Sequence, residues 1–183
     1  MKYFKIILIL SLSFSLTSCI VSTAAKVVKT TAKIGYSAVK GTVNGVSWAV
    51  QKAEGKIDED RIDGTWKVIG VYNGTYEQFS QDQNPANNFK SDCAAGMEVI
   101  EFKSNRGKFK PEHCDPGEEE WVKYQFKFGK NPSTGEKENY LKYNSSNYIS
   151  VIDVTSKTMV LEGNLMQSYA FSGGKLYMFE KVK

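Results

Sequence analysis

In the stretch Trp121-Val122-Lys123-Tyr124-Gln125-Phe126-Lys127-Phe128, apolar and polar residues alternate from Val122 onward. Side chains on a strand point to opposite faces in turn, so Val122, Tyr124, Phe126 and Phe128 share one face and Lys123, Gln125 and Lys127 the other. A helix cannot use that pattern, because a period of two scatters the apolar residues around its circumference. Further segments that read as strands are 65–72, 97–103, 107–110, 140–143, 148–155, 158–162, 168–171 and 175–182. Turn residues separate them, among them Asn73-Gly74, Asn105-Arg106-Gly107, Gly163-Asn164 and Gly173-Gly174. Short strands in close succession, with no helical segment between them, predict an antiparallel meander. Closing it into a barrel removes the unpaired edges. The connection 77–91, rich in Gln, Asn and Asp, is the one loop long enough to hold a lid or a short helix.

The segment Asp63-Gly64-Thr65-Trp66-Lys67-Val68 resembles the Gly-x-Trp opening of lipocalin-like domains, whose tryptophan plugs one end of the barrel. The order downstream is similar too. Asp92-Cys93 precedes an apolar strand ending Ile100-Glu101-Phe102; Asn105-Arg106-Gly107-Lys108-Phe109, Cys114 and Trp121 follow, and the chain closes on Tyr177-Met178-Phe179-Glu180-Lys181. The resemblance covers about 62–183 and implies a mainly β fold, an antiparallel lipocalin-like barrel of about eight strands. The connection after Tyr76 and the acidic insert 112–120 depart from it. On alternation, Tyr124, Phe126 and Phe128 join Trp66 as candidate barrel-lining residues. A barrel of this size either packs its interior with such side chains or holds one small apolar ligand, and both readings stay open.

The chain opens with Lys2 and Lys5, then an apolar or small run from Ile6 to Leu16. That run has the length of a signal-peptide core and is too short to span a bilayer. It leads into Leu16-Thr17-Ser18-Cys19, which resembles the processing box of bacterial lipoproteins: an aliphatic residue, two small ones and a cysteine. The resemblance implies removal of residues 1–18, acylation of Cys19 and anchoring in a membrane. Ile20, where an aspartate would favour the inner membrane, points to the outer membrane, with the protein facing the periplasm. Two or three acyl chains anchor stably, at about 0.8 kcal/mol per buried methylene. The whole layout resembles that of Gram-negative envelope lipoproteins.

Between residue 20 and about Lys56 there is no proline and a single acid, Glu54. At 100° per residue, Ser22, Lys26, Lys29, Lys33, Ser37, Lys40, Asn44, Ser47 and Gln51 fall in one stripe roughly 80° wide. This predicts a basic amphipathic helix, weakened by Gly35, Gly41 and Gly45 at about 1 kcal/mol each. Such a helix lies in the membrane surface with its lysines toward anionic head groups, self-associates through Ala38, Gly41, Gly45 and Ala49, or serves as a partly disordered tether. The expected division is therefore a signal peptide at 1–18, lipidated cysteine and helix or tether at 19–58, and barrel domain at 59–183. Ile57 to Arg61 forms the charged linker between the last two.

Residues 20–56 carry six lysines against one acid, a net +5, whereas 57–183 carry a net −3. The basic balance thus belongs to the anchor segment, and nucleic acid is not an expected partner. With Cys19 acylated, Cys93 and Cys114 remain, in an oxidising compartment. They read as one disulfide contributing about 3 kcal/mol. A metal pair is the alternative, but two cysteines and the single His113 make a poor zinc set. No nucleophile with a matching base appears, and Ser172-Gly173-Gly174-Lys175 lacks the spacing of a phosphate loop. The sequence therefore reads as a non-enzymatic, cofactor-free binder of a small apolar ligand or envelope component. The rival readings are an envelope interaction protein acting through its helix, and a lysozyme-type inhibitor using 93–114 or 112–120.

Overall fold

The computed structural model of the chain describes residues 39–43, 46–90, 97–114, 120–165 and 174–183. In chain order the strands are β1 (Val39–Val43), β2 (Val46–Val50), β3 (Gly64–Tyr72), β4 (Phe89–Lys90), β5 (Met97–Lys103) and β6 (Lys108–His113). They continue with β7 (Val122–Lys130), β8 (Lys137–Tyr143), β9 (Asn147–Val154), β10 (Thr158–Gly163) and β11 (Lys175–Lys181). Strands β3 and β5 through β11 pair with their sequence neighbours, and β11 returns to pair with β3. The result is a mainly β fold, a closed, antiparallel, eight-stranded up-and-down barrel. Strand β4 adds two residues beside the end of β3.

The inner face carries one aromatic and aliphatic core. Trp66, Phe102, Phe109, Leu141, Tyr177 and Phe179 are at most 1% exposed. Two bulges let β3 and β9 be apolar on both faces. Val68 pairs with Phe179 and Gly70 with Met178, so β3 holds one extra residue there. Trp66, Val68 and Val71 all join the interior, while Ile69 and Tyr72 go to the outside cluster. Strand β9 does the same across Val151, Ile152 and Val154. A bulge shifts the side-chain phase by one, which a strict two-residue repeat does not anticipate.

The outer apolar patch of Ile69, Ile152, Val160, Leu176 and Met178 is covered by the β1–β2 hairpin and by α1 (Tyr76–Gln81). Helix α1 lies in the long connection after β3, in the place where the sequence leaves room for a short helix. Its start is fixed by a capping box: the Thr75 hydroxyl accepts from the Gln78 N–H at 3.3 Å, and the Gln78 side chain accepts from the Thr75 N–H at 2.9 Å. Phe79 then packs against Trp48, their ring centroids 5.1 Å apart and their planes tilted by 42°.

The hairpin corrects the expectation of a helix running to Lys56, because over 39–50 the chain is extended and paired, Val39 with Val50 and Val43 with Val46. Valines at four of these positions favour strands, and the intervening Asn44-Gly45 is the dipeptide most favourable to a two-residue hairpin turn. Of the small-residue face that a helix would offer for self-association, Gly41 lies on β1 and Ala49 on β2, while Ala38 and Gly45 lie outside the described residues. Residues 20–38 of the expected helix lie outside the described residues.

Residues 51–63 close one end of the barrel, so the stretch expected as a charged linker is its base. The Ala53 N–H donates to the Ile152 carbonyl at 2.9 Å. The Ile57 N–H donates to Asn139 Oδ1 at 2.8 Å, and Asn139 Nδ2 donates to the Gly55 carbonyl at 2.7 Å. Ile57 and Ile62 turn into the core while Asp58, Asp60 and Arg61 stay exposed. Trp66 Nε1 donates to the Ile62 carbonyl at 2.8 Å, so the buried indole satisfies its only donor at the plug.

Candidate functional site

Two places on the barrel qualify as sites, its lumen and a groove on its wall. The four residues expected to line the lumen do not share one environment. Trp66 is fully buried at the base and Tyr124 is 5% exposed, whereas Phe126 and Phe128 are only half-buried. The gradient follows from strand stagger. Strands β6 and β7 pair only at Lys108 with Lys123 and Phe109 with Val122, the Tyr124 N–H adding a bond to the Gly107 carbonyl at 2.8 Å. Beyond that point β7 is flanked, among the described residues, by β8 alone. Inward-pointing residues there lose cover on one side. Phe126 still packs against the core edge, and Phe128 has the Lys137 ammonium 5.3 Å from its ring centroid.

Deeper in the lumen the space is taken by rings. Phe109 lies 5.6 Å from Phe102 and 5.5 Å from Tyr143, the latter edge-on, a favourable arrangement for aromatic quadrupoles. The Tyr143 hydroxyl donates to the Asn164 carbonyl at 2.5 Å, and Leu165 is tucked into the same core. Burial pushes the Tyr143 and Tyr177 phenols up to about 12, and burial with the neighbouring Glu59 carboxylate raises Tyr124 further. All three phenols are therefore neutral at any physiological pH. None of them acts as an acid or base near neutral pH.

The wall groove has a volume of about 610 Å³ and runs from the β5–β6 turn across β7 and β8 to the β8–β9 turn. Arg106, Gly107, Lys123, Gln125, Lys142, Asn144 and Ser145 line it, together with Tyr124 and Tyr143. Two turns in left-handed conformation shape its ends. Gly107 has φ +54°, and a Cβ there would meet the Tyr124 carbonyl oxygen at 3.1 Å. Asn144, at φ 50°, turns β8 into β9 and brings Ser145 over the groove. Glycine, and to a lesser degree asparagine, tolerates this region. Arg106, Lys123 and Lys142 have no carboxylate partner among the described residues, whereas Lys103 pairs with Glu101 and Lys110 with Glu112, each at 3.3 Å.

A third polar cluster is structural. Glu138, 3% exposed, accepts at Oε1 from Thr134 at 2.7 Å and from Asn131 and Ser150 at 2.8 Å each, and at Oε2 from Lys52 at 2.9 Å. Lys52 also pairs with Glu136. Burial acts to raise the Glu138 pKa, but the hydrogen bonds from Thr134, Lys52, Ser150 and Asn131 outweigh it and hold the carboxyl below its ordinary value. The cluster fastens the base segment to the β7–β8 turn.

Cys19 and Cys93 lie outside the described residues, so neither the acyl anchor nor the expected disulfide is placed; Cys114 follows directly on β6. Of the two segments an inhibitor would use, 93–114 is from residue 97 onward the β5–β6 hairpin and Cys114, and 112–120 has 115–119 outside the described residues. Among the described residues, no cluster of His, Cys, Asp and Glu is arranged to hold a metal ion, and no helix is long and apolar enough to cross a membrane. The wall groove escaped the sequence reading. Its residues come from two turns and two strands, and only the strand register brings them together.

No protein-family model matches the chain, and no curated relative does. Among solved structures, it is similar to bovine odorant-binding protein in complex with a selenium-containing odorant, with 14% identity, 73% of this chain and 78% of that one covered, and a TM-score of 0.38. The same bovine protein in complex with undecanal matches with 12% identity, 72% and 78% coverage and a TM-score of 0.36.

Proposed function

We propose that the chain is a non-enzymatic binding protein, held at the periplasmic face of the outer membrane by acylated Cys19, that takes its ligand on the wall of the barrel. One observation carries this reading. The groove is polar, open and lined by cations that have no acidic partner among the described residues, while the lumen behind it is already occupied by Trp66, Phe102, Phe109, Tyr177 and Phe179. Binding sites combine concavity with a few convergent polar groups, and the groove has both. The disulfide between Cys93 and Cys114 belongs to the same proposal, tying the segment before β5 to the end of β6.

A second reading, a small apolar ligand in the lumen, rests on half-buried Phe126 and Phe128. Amide chemical shifts of the unacylated mature chain (Cys19→Ala), recorded against fatty acids, sugars and sugar phosphates, separate the two. Shifts at Arg106–Gly107, Lys123–Gln125 and Lys142–Ser145 support the wall. Shifts at Phe102, Phe109 and Leu141 on adding a fatty acid would overturn it.

A further inference from the structure

The groove carries a charge that names the chemistry of its ligand. We infer that it binds the phosphate group of a phosphate monoester, an inference that rests on the groove being the binding site. Register places Lys103 opposite Lys108 and Lys108 opposite Lys123, a row of three ammonium groups across β5, β6 and β7. Like charges directly opposite each other destabilise a sheet; Glu101 answers Lys103 at 3.3 Å, whereas Lys108 and Lys123 face each other with no carboxylate partner among the described residues. Lys142, opposite Gln125, and Arg106 on the turn complete the cationic face. It stands on a domain whose residues 57–183 are net negative, so the concentration of cations is local.

The cations beside the groove are held in position. The Trp121 ring lies 4.2 Å from the Lys103 ammonium and 4.5 Å from that of Lys108, measured to the ring centroid. Such contacts fix long side chains that would otherwise lose entropy on binding. Lysines that merely blunt an exposed strand edge belong on the overhang of β7, where Lys127 and Lys130 are, away from the groove.

The count of charges selects among anions. Arg106, Lys123 and Lys142 converge on one space, and a phosphate monoester brings a charge of about −1.5 to −2 with three acceptor oxygens. A lone carboxylate would leave most of that charge unanswered. The guanidinium matches phosphate with a fork of two donors and the lysines act as point charges. Gln125, Asn144 and Ser145 add neutral donors, and the volume leaves room for an organic group beyond the phosphate. The phosphate arrives either on a free ester or on a lipid head group, since the recognition chemistry is the same.

The test uses the mature chain with Cys19→Ala, its variants Lys123→Gln and Lys142→Gln, and the conservative Lys123→Arg. Calorimetric titration with glucose 1-phosphate should show saturable binding that weakens by about tenfold or more between about 50 mM and about 500 mM NaCl. Each glutamine variant should lose about tenfold in affinity with an unchanged melting temperature, and Lys123→Arg should retain binding. Sedimentation with phosphatidylcholine vesicles, with and without phosphatidic acid, identifies the source. A dependence on Lys123 and Lys142 in the phosphatidic acid vesicles assigns a lipid head group; binding of glucose 1-phosphate without it assigns a free ester. Glucose binding as well as its phosphate, and lost in the same variants, would keep the groove as a site and overturn the phosphate. Absence of glucose 1-phosphate and phosphatidic acid binding would overturn the phosphate as well, while shifts at the groove from another ligand would leave the site itself standing.

Discussion

Gly41 lies directly across the β1–β2 hairpin from Trp48, and a Cβ at that glycine would sit 2.5 Å from the indole Cζ2. The indole lies flat over the facing strand and is 4% exposed, with Phe79 and Phe89 on its other side. The hairpin covers the outer apolar patch only because that backbone position has no side chain. Gly41→Val should therefore lift the hairpin from the barrel and cost about 2 kcal/mol, in the range of other overpacking changes. Faster amide exchange over 46–50 and a lower melting temperature are the expected readouts. Unchanged exchange would show that Trp48 does not depend on the glycine.

Glu138 and Lys52 predict a stability profile with two fading ends. The folded-state pKa of Glu138 is lowered, so its contribution is present above the ordinary carboxylate pKa and is lost as pH falls through the folded value. For Lys52, burial acts to lower the pKa but Glu136 and Glu138 raise it overall, so its contribution is present below the ordinary lysine value and is lost as pH rises through the folded one. Glu162 and Asp153, both raised chiefly by burial, oppose the acid loss in part. Glu138→Gln leaves one acceptor for four donors and should cost about 3 kcal/mol at neutral pH. Melting curves between neutral and acid pH should converge for wild type and variant. Parallel curves would remove Glu138 from the account.

The barrel itself was largely legible in the sequence, and the reasons are local. Period-two alternation marks β7, and the turn residues around it mark β8, β9 and β10. Features that depend on relations between strands were not legible. The bulge at Ile69-Gly70 moves Val71 onto the same face as Val68, which alternation alone forbids. The half-exposure of Phe126 and Phe128 comes from where β6 begins, at Lys108 opposite Lys123, not from their own strand. At 39–50 the regular spacing of Lys40, Asn44, Ser47 and Gln51 concealed a hairpin that the valines and Asn44-Gly45 also encode. The groove could not be found from spacing, since Arg106, Lys123 and Lys142 become neighbours only through pairing.

The proposed Cys93–Cys114 disulfide closes a loop that includes β5 and β6. Replacing either cysteine by serine should destabilise the domain by about 2–4 kcal/mol. Labelling of both positions by a thiol reagent in the native, unreduced protein would contradict the bond.

Anchoring by Cys19 predicts a clean change in fractionation. Cys19→Ala should release the protein from the outer-membrane fraction, as an unprocessed or soluble form without acyl mass. The same mass and fraction as wild type would dismiss the lipid anchor.

The central claim is a filled lumen with binding on the outside, and the most direct test is titration of an apolar fluorescent probe into the unacylated mature chain, beside Phe109→Ala and Phe126→Ala. A filled lumen predicts no saturable probe binding by wild type. It also predicts a loss of about 3–5 kcal/mol for Phe109→Ala, which is 1% exposed, and a smaller loss for half-buried Phe126→Ala. Saturable binding by wild type that disappears in Phe126→Ala would contradict the claim and return the ligand to the lumen.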